Sequence, residues 1–345
     1  PHAEVFVIAV PTPFKDHHEP DLAFVMAALE QIAPRVRAGN CIVLESTSPV
    51  GTTQKLAARL ATLRPDLRVP GHVRDANEGG HAIHIAYCPE RVLPGRIIEE
   101  LVSNDRVIGG LTTACAERAA AFYRRFVEGG CLTTSAGTAE MVKLSENSYR
   151  DVNIAFANEL SLIAEDMGID VWEVIRLANR HPRVSILQPG PGVGGHCIAV
   201  DPWFLVAGSP GHTRLIRTAR EVNDGKSIHV AKRLEAMLAT EPGALLALLG
   251  LAFKPNIDDF RESPALAIAE SLARNHADRL LIVEPFASVL PGALANSGAR
   301  LVSLGDALAQ ALIRQPTLTL AFGGHHLLAR LAADDALEVA HHGRI

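Results

Sequence analysis

Apolar and polar positions follow two rhythms along this chain. Short unbroken apolar runs end in loops of Pro, Ser, Thr and Gly, and longer stretches repeat apolar residues every three or four positions. A strand covered on both faces loses its in/out alternation, so the short runs predict buried parallel strands and the longer spacing predicts helices. The first run, over 5–10, closes at Pro11-Thr12-Pro13, and a helical pattern covers 21–36. A second strand over 41–45 runs into Ser46-Thr47-Ser48-Pro49, followed by a helix over 53–63. After a polar, glycine-bearing insertion over 71–80, a strand at 84–87 ends in Cys88-Pro89-Glu90-Arg91. Strand, loop, helix, strand is the rhythm of an open α/β sheet, and these loops lie at the carboxyl ends of strands, where such sheets bind ligands. The first turn of a dinucleotide-binding sheet carries Gly-x-Gly-x-x-Gly, and none precedes Val5. The chain is therefore expected to hold only the later strands of such a domain, with 5–10 as an exposed edge strand.

From 138 to 167 the period becomes that of one long helix, with Met141, Leu144, Val152, Ala155, Phe156, Leu160 and Ile163 as its apolar stripe and Gly168 as its stop. At 1.5 Å per residue it would be about 45 Å long, enough to link two domains. Lys143, Asn147, Arg150, Asp151 and Asn158 recur on it at spacings that let several share a face; on pattern alone such a stripe is a solvated face. Helices follow over 171–179 and 213–238, making the middle region helical. A second α/β unit begins with a strand over 244–249 and a loop carrying Lys254 and Arg261. A helix over 265–274, a strand over 280–283 ending in Glu284-Pro285, and a last strand over 318–322 complete it. The cationic loop before a helix start suits a phosphate, or else simply caps the helix.

Composition narrows the class. A chain of 345 residues, 48% hydrophobic, can bury more than one core. Its net charge of −5 and lack of a basic stripe argue against a nucleic-acid partner. Its longest apolar run, 244–253, is about half of the ~20 residues a membrane helix needs. Cys41, Cys88, Cys115, Cys131 and Cys197 are odd in number and lack paired spacing, which suits a reducing cytoplasm and no zinc site. The pairs His17/His18, His325/His326 and His341/His342 lack companion ligands and read as solvated surface, so no metal is expected.

Cys197 follows Pro189-Gly190-Pro191-Gly192-Val193-Gly194-Gly195, a run too glycine-rich for a helix or packed strand. Such a loop lets backbone approach a ligand closely, so Cys197 reads as a nucleophile rather than a structural thiol in a tight turn. Oxidation of a primary alcohol would use it: an aldehyde captured by Cys197 as a thiohemiacetal loses a second hydride and leaves a thioester for water. Lys143 and Asn147, four apart on a helix, would stabilise the oxyanion. Asp201, Glu90 and Thr47 are the candidates for activating water.

Seven segments then resemble one family in family order: Val10-Pro-Thr-Pro-Phe14, Glu45-Ser-Thr-Ser-Pro-Val-Gly-Thr52, Tyr87-Cys-Pro-Glu-Arg-Val-Leu-Pro-Gly95, Asn104-Asp-Arg-Val-Ile-Gly-Gly110, Ala139-Glu-Met-Val-Lys143, Gly192-Val-Gly-Gly-His-Cys197 and Phe253-Lys-Pro-Asn-Ile-Asp-Asp259. The chain is similar in these to the UDP-glucose/GDP-mannose dehydrogenase family, over nearly its whole length to about Pro285 and fading beyond about Leu301. The resemblance implies two Rossmann-like parallel-sheet domains joined by a long helix and a helical middle domain. The division would be 1–133, an incomplete NAD-binding domain; 134–239, a dimerisation domain with the cysteine loop; and 240–345, a UDP-sugar-binding domain. It implies NAD as cofactor, a UDP-sugar as substrate, a homodimer or higher homo-oligomer, and four-electron oxidation of the sugar C6 alcohol to a carboxylate.

Carried over by motif, the resemblance makes Cys197 the nucleophile, Lys143 and Asn147 the oxyanion and sugar contacts, Thr47 and Asp201 the water-positioning pair, and Glu90 the acid/base. Lys254, Arg183, Gly194 and Arg91 become substrate contacts. Val10, Thr12, Ser46, Thr47 and Arg261 become cofactor contacts, Arg261 at the pyrophosphate. Val200 stands where many relatives have lysine, and Pro94 where some have a second glutamate. With Arg91 these mark the N-acetylhexosamine branch, the mannosamine epimer being the closer likeness and the glucosamine epimer the competitor. The missing glycine fingerprint leaves a second expectation, a catalytically silent nucleotide-sugar-binding subunit.

Overall fold

Cys41, Ile42, Val43 and Leu44 are all fully buried. A strand with no exposed side chain has to lie inside a sheet covered on both faces, and this one does. The structure, a computed structural model, describes residues 3–15, 18–71, 81–92, 96–195, 197–254, 258–307, 309, 318–322 and 329–331. His17, most of the polar insertion, Pro94, His325/His326 and His341/His342 lie outside the described residues. The chain divides into two units, 1–148 with 201–214, and 149–200 with 215–345.

The first unit holds β1 (Val5–Ile8), α1 (Ala23–Ile32), β2 (Cys41–Leu44), α2 (Thr52–Leu63), β3 (Leu67–Arg68), β4 (His81–Ala82), β5 (His84–Tyr87), α3 (Ile97–Ser103), β6 (Arg106–Gly110), α4 (Thr113–Tyr123) and β7 (Cys131–Ser135). The main sheet runs β1-β2-β5-β6-β7, with β1 at the edge as the sequence suggested. β1, β2 and β5 are parallel in the register Val5↔Cys41 and Cys41↔His84. β6 runs antiparallel to β5, pairing Tyr87↔Gly109, and β7 is parallel to β6. The sheet is thus predominantly parallel, as expected, with one antiparallel pair at β5–β6, where an antiparallel neighbour needs no return crossover and the short link through α3 suffices. Alternate side chains feed two cores. Ile8, Leu44 and Ile85 meet Leu29, Leu56 and Leu60 on one face, while Val43, Ala86 and Ile108 meet Ala119, Ala120 and Tyr123 on the other.

α5 (Ala136–Met167) is a single helix of 32 residues, and the division between the units falls within it. It ends in a Schellman motif: Gly168 takes φ 66, Ile169 N–H donates to Ala164 O (2.8 Å) and Gly168 N–H to Glu165 O (3.1 Å). Its predicted apolar stripe divides. Leu144 and Ala155 are buried, whereas Met141, Phe156 and Ile163 are about half exposed.

α6 (Val171–Ala178) starts at Asp170, whose side chain accepts from Trp172 N–H (2.9 Å). α7 (Asp201–Gly208), in the first unit, is a helix the periodicity did not reveal. After α8 (Arg214–Thr240) come β8 (Leu246–Leu249), α9 (Pro264–His276), β9 (Leu280–Val283), β10 (Arg300–Leu301), β11 (Leu318–Phe322) and β12 (Ala329–Leu331). This second sheet runs β10-β9-β8-β11-β12, parallel except for β11 with β12. Leu246, Leu248, Leu280 and Ile282 pack on Leu234 and Leu238 of α8 and on Ile268 and Leu272 of α9. Among the described residues no helix is long and apolar enough to cross a membrane.

Candidate active site

The strand-end loops of the first unit are tied to one another. Val10 N–H donates to Ser46 Oγ (2.8 Å), and Thr12 Oγ1 donates to Thr47 O (2.7 Å). The loop after β2 is further fixed from α5. Glu140 is fully buried there, and its carboxylate accepts from Gly51 N–H (2.6 Å), Thr53 N–H (2.8 Å) and Thr53 Oγ1 (2.6 Å). Two of these donors are backbone amides at the N-terminus of α2, so an acid from another helix caps it. Burial nevertheless pushes the Glu140 carboxyl above its ordinary range, against the pull of those donors.

One turn on, α5 presents Lys143 and then Asn147, both buried. Lys143 Nζ donates to Glu90 O (2.8 Å), which ties the helix to the loop after β5. Asn147 Nδ2 donates to Asp201 Oδ2 at 2.5 Å. Asp201 opens α7 and is buried, which raises its carboxyl to about 6; the Asn147 hydrogen bond and the Lys143 charge hold it from going higher. Asp201 is thus held by a side chain of α5 at the start of its own helix. The Glu90 carboxylate accepts from Arg91 N–H (2.6 Å) and faces the buried Arg106 guanidinium (3.3 Å). Arg91 itself bridges Glu146 (2.6 Å) and Asp105 O (3.0 Å) and stays partly exposed. Behind this loop, Tyr123 donates to Glu45 (2.5 Å), whose carboxyl burial also raises.

In the second unit a chain of buried polar groups reaches the start of the cysteine loop. Arg220 donates to Asp151 (2.7 Å) and also pairs with Asp224. Asn223 donates to Asp151 Oδ1 (2.8 Å) and accepts from Asn158 (2.8 Å), and Asn158 Oδ1 accepts from Gly190 N–H (2.6 Å). The loop then presses on the residues that follow β8. A Cβ on Gly194 would overlap the Glu262 carbonyl and lie 2.7 Å from Pro264 Cδ; one on Gly195, at φ +85, would lie 2.7 Å from the Phe253 ring. Only glycine fits at these two places. Cys197 emerges from this fixed loop exposed to solvent. Lys254, half-buried, has its ammonium pushed below the ordinary lysine range by burial and then by the Arg150 charge, with Cys197 opposing. Arg183 is exposed, and Arg261 is exposed in a fork on Asp259 (2.8 Å).

The polar stripe of α5 is therefore not a solvated face: Lys143, Asn147, Asp151 and Asn158 are buried, and of the five only Arg150 is exposed. Each buried member has a polar partner, without which burial would cost several kcal/mol, roughly. Sequence reasoning missed Glu140, Arg106 and Glu284. Glu140 lies one turn before Lys143 on the same face, and Glu284 directly follows a strand run, so both signals were present without their partners.

Profiles of one family match three parts of the chain: the UDP-glucose/GDP-mannose dehydrogenase NAD binding domain at 1–127, its central domain at 137–225 and its UDP binding domain at 247–313. The last match runs past residue 301, where the likeness was expected to fade. A UDP-N-acetyl-D-mannosamine dehydrogenase of Salmonella typhi is 57% identical over 317 residues, 90% of this chain and 74% of that one. An NDP-N-acetyl-D-galactosaminuronic acid dehydrogenase of Ralstonia nicotianae is 53% identical over 309 residues, 90% of this chain and 72% of that one. The solved UDP-D-ManNAc dehydrogenase of Pyrococcus horikoshii matches with a TM-score of 0.78 at 39% identity, covering 93% of this chain and 71% of that one.

Proposed function

The chain belongs to the UDP-glucose/GDP-mannose dehydrogenase family, and from that premise we propose that it oxidises the C6 alcohol of UDP-N-acetyl-D-mannosamine to the carboxylate. The alcohol, one water and two NAD⁺ give the carboxylate, two NADH and three protons. The observation that carries the reading is Cys197, the exposed thiol at the end of a loop whose glycines leave no room for a side chain. Its Sγ adds to the C6 aldehyde, and loss of hydride from that adduct leaves a thioester. Water attack then expels the thiolate. Lys143 and Asn147 supply the cation and the amide donor that the oxyanions require. Asp201, raised to about 6, is mostly ionised at neutral pH yet basic enough to take a proton from the attacking water. Glu90 takes the proton of the substrate alcohol, and Thr47 helps orient the water.

The donor set fits NAD at its nicotinamide end: linked hydroxyl and amide groups of Val10, Thr12, Ser46 and Thr47 suit a ribose and a carboxamide. Arg261 suits the pyrophosphate. NAD when bound supplies the hydride acceptor for both oxidations. Lys254, Arg183, Gly194 and Arg91 contact the UDP-sugar, and the chain divides into an NAD-binding domain over 1–133, a central dimerisation domain over 134–239 and a UDP-sugar-binding domain over 240–345. Tyr149, Phe156, Ile163 and Met167, exposed apolar residues along α5, support pairing with a second copy, which light scattering on the purified protein measures.

The test is NADH formation from UDP-N-acetyl-D-mannosamine, with its N-acetylglucosamine epimer and the N-acetylgalactosamine diastereomer as competitors. Two NADH per acid formed, fastest with the mannosamine sugar, is expected. A faster rate with another sugar reassigns the substrate. UDP-sugar binding without NADH from any of them favours the silent binding subunit.

A further inference from the structure

β9 ends at Val283, and the next residue turns its carboxylate back onto the loop that leaves β8. Glu284, 6% exposed, accepts with Oε2 from Leu251 N–H (2.7 Å) and Ala252 N–H (3.3 Å), and with Oε1 from Phe286 N–H (3.1 Å). Gly250 N–H meanwhile donates to Val283 O (2.8 Å), so the loop leaves the sheet at a fixed point. On the other side, Ser263 Oγ donates to Leu251 O (2.5 Å) while capping α9. Leu251 is therefore held at its N–H by one element and at its carbonyl by another.

This is the place where a nucleotide-binding βαβ unit keeps its first-turn amides open to a phosphate and an acid at the second strand end open to ribose hydroxyls. Here the acid satisfies the amides itself. The two residues after Ala252 are Phe253, against which Gly195 packs, and Lys254. We propose that Glu284 is a positioning residue, an internal anion that closes this turn to a dinucleotide and fixes the β8–α9 loop so that Lys254 is presented to the UDP-sugar. The inference rests on the reading of Lys254 as a substrate contact.

The experiment uses the full chain with Glu284→Ala and Glu284→Gln. With alanine, the Leu251 and Ala252 amides lose their acceptor. Their hydrogen exchange is expected to speed by about 100-fold while Leu281 and Ile282 in β9 keep their protection. The KM for the UDP-sugar is expected to rise by about tenfold, with the KM for NAD unchanged. Glutamine keeps one carbonyl oxygen for Leu251 and Ala252, so it restores the sugar KM and their protection and leaves only Phe286 deprotected. A sugar KM that stays put in the alanine variant, or an NAD KM that rises in step, overturns the proposal. If the alanine variant does not fold, a glutamine variant that exposes Leu251 and Ala252 as much as Phe286 overturns it equally. If Lys254→Met leaves the sugar KM unchanged, the reading of Lys254 fails while the exchange pattern still decides the clamp.

Discussion

Asn147 on α5 and Asp201 at the start of α7 stand 54 residues apart in the chain and are joined by a 2.5 Å hydrogen bond in a buried setting. The amide gives the carboxylate a donor without giving it a charge, so burial keeps the upper hand.

Burial raises Asp201 from the ordinary 3.8 to about 6, so between those values the folded protein holds a proton that the unfolded chain has released. Its favourable contribution is complete below about pH 4 and is lost as pH rises through about 6. Asp201→Asn, neutral throughout, is expected to raise stability at pH 8 by up to about 3 kcal/mol and to change it little near pH 4. Urea titrations at the two pH values measure this. Turnover should fall about 100-fold or more, since asparagine takes no proton from water. A stability gain equal at both pH values would mean an ordinary carboxyl.

Arg220 lies between a buried and an exposed acid, which separates their worth. Removing Arg220 leaves Asp151 buried without its cation, and Arg220→Met is expected to cost about 3–5 kcal/mol. Asp224→Asn removes the exposed partner and is expected to cost less than about 1 kcal/mol. Urea midpoints compared at one pH give the ratio, and equal losses would count against the buried pair as the anchor of the network.

Gly195→Ala sets a methyl group against the Phe253 ring at a backbone angle that suits glycine. A kcat at least about tenfold lower is expected, with the protein still folded by circular dichroism. Adding Phe253→Leu removes the ring edge and should recover part of the rate. No recovery would place the cost in the backbone angle alone.

Cys197→Ser keeps a hydroxyl in place of the thiol and cannot form a thioester. Aldehyde-level or covalent species are expected to accumulate without completed acid, measured by mass spectrometry against NADH released. Acid formation at the parent rate would remove Cys197 from the mechanism.

The elements are largely legible in the local residue order. The apolar runs at 41–45 and 84–87, the helix stop at Gly168 and the loop before Cys197 all depend on neighbours within a few residues, which sequence displays directly. α7 was not legible, because it follows the glycine loop without an amphipathic period of its own. The reversed β5–β6 pair was not legible either, since strand direction depends on where the chain returns and not on its composition.

The α/β class, the long helix and the residue types that suggest alcohol oxidation through a thiol are all written in the local order of residues. Tertiary structure alone decided what those residues face. It buried the polar stripe of α5, joined Glu140 to Thr53 across 87 residues, and turned Glu284 onto Leu251 across 33. Hydrophobic period is a local property, set by which side of an element meets a core. The partner of a buried polar group is set by which distant segment packs there, because a group out of water must find its hydrogen bond wherever the fold provides one.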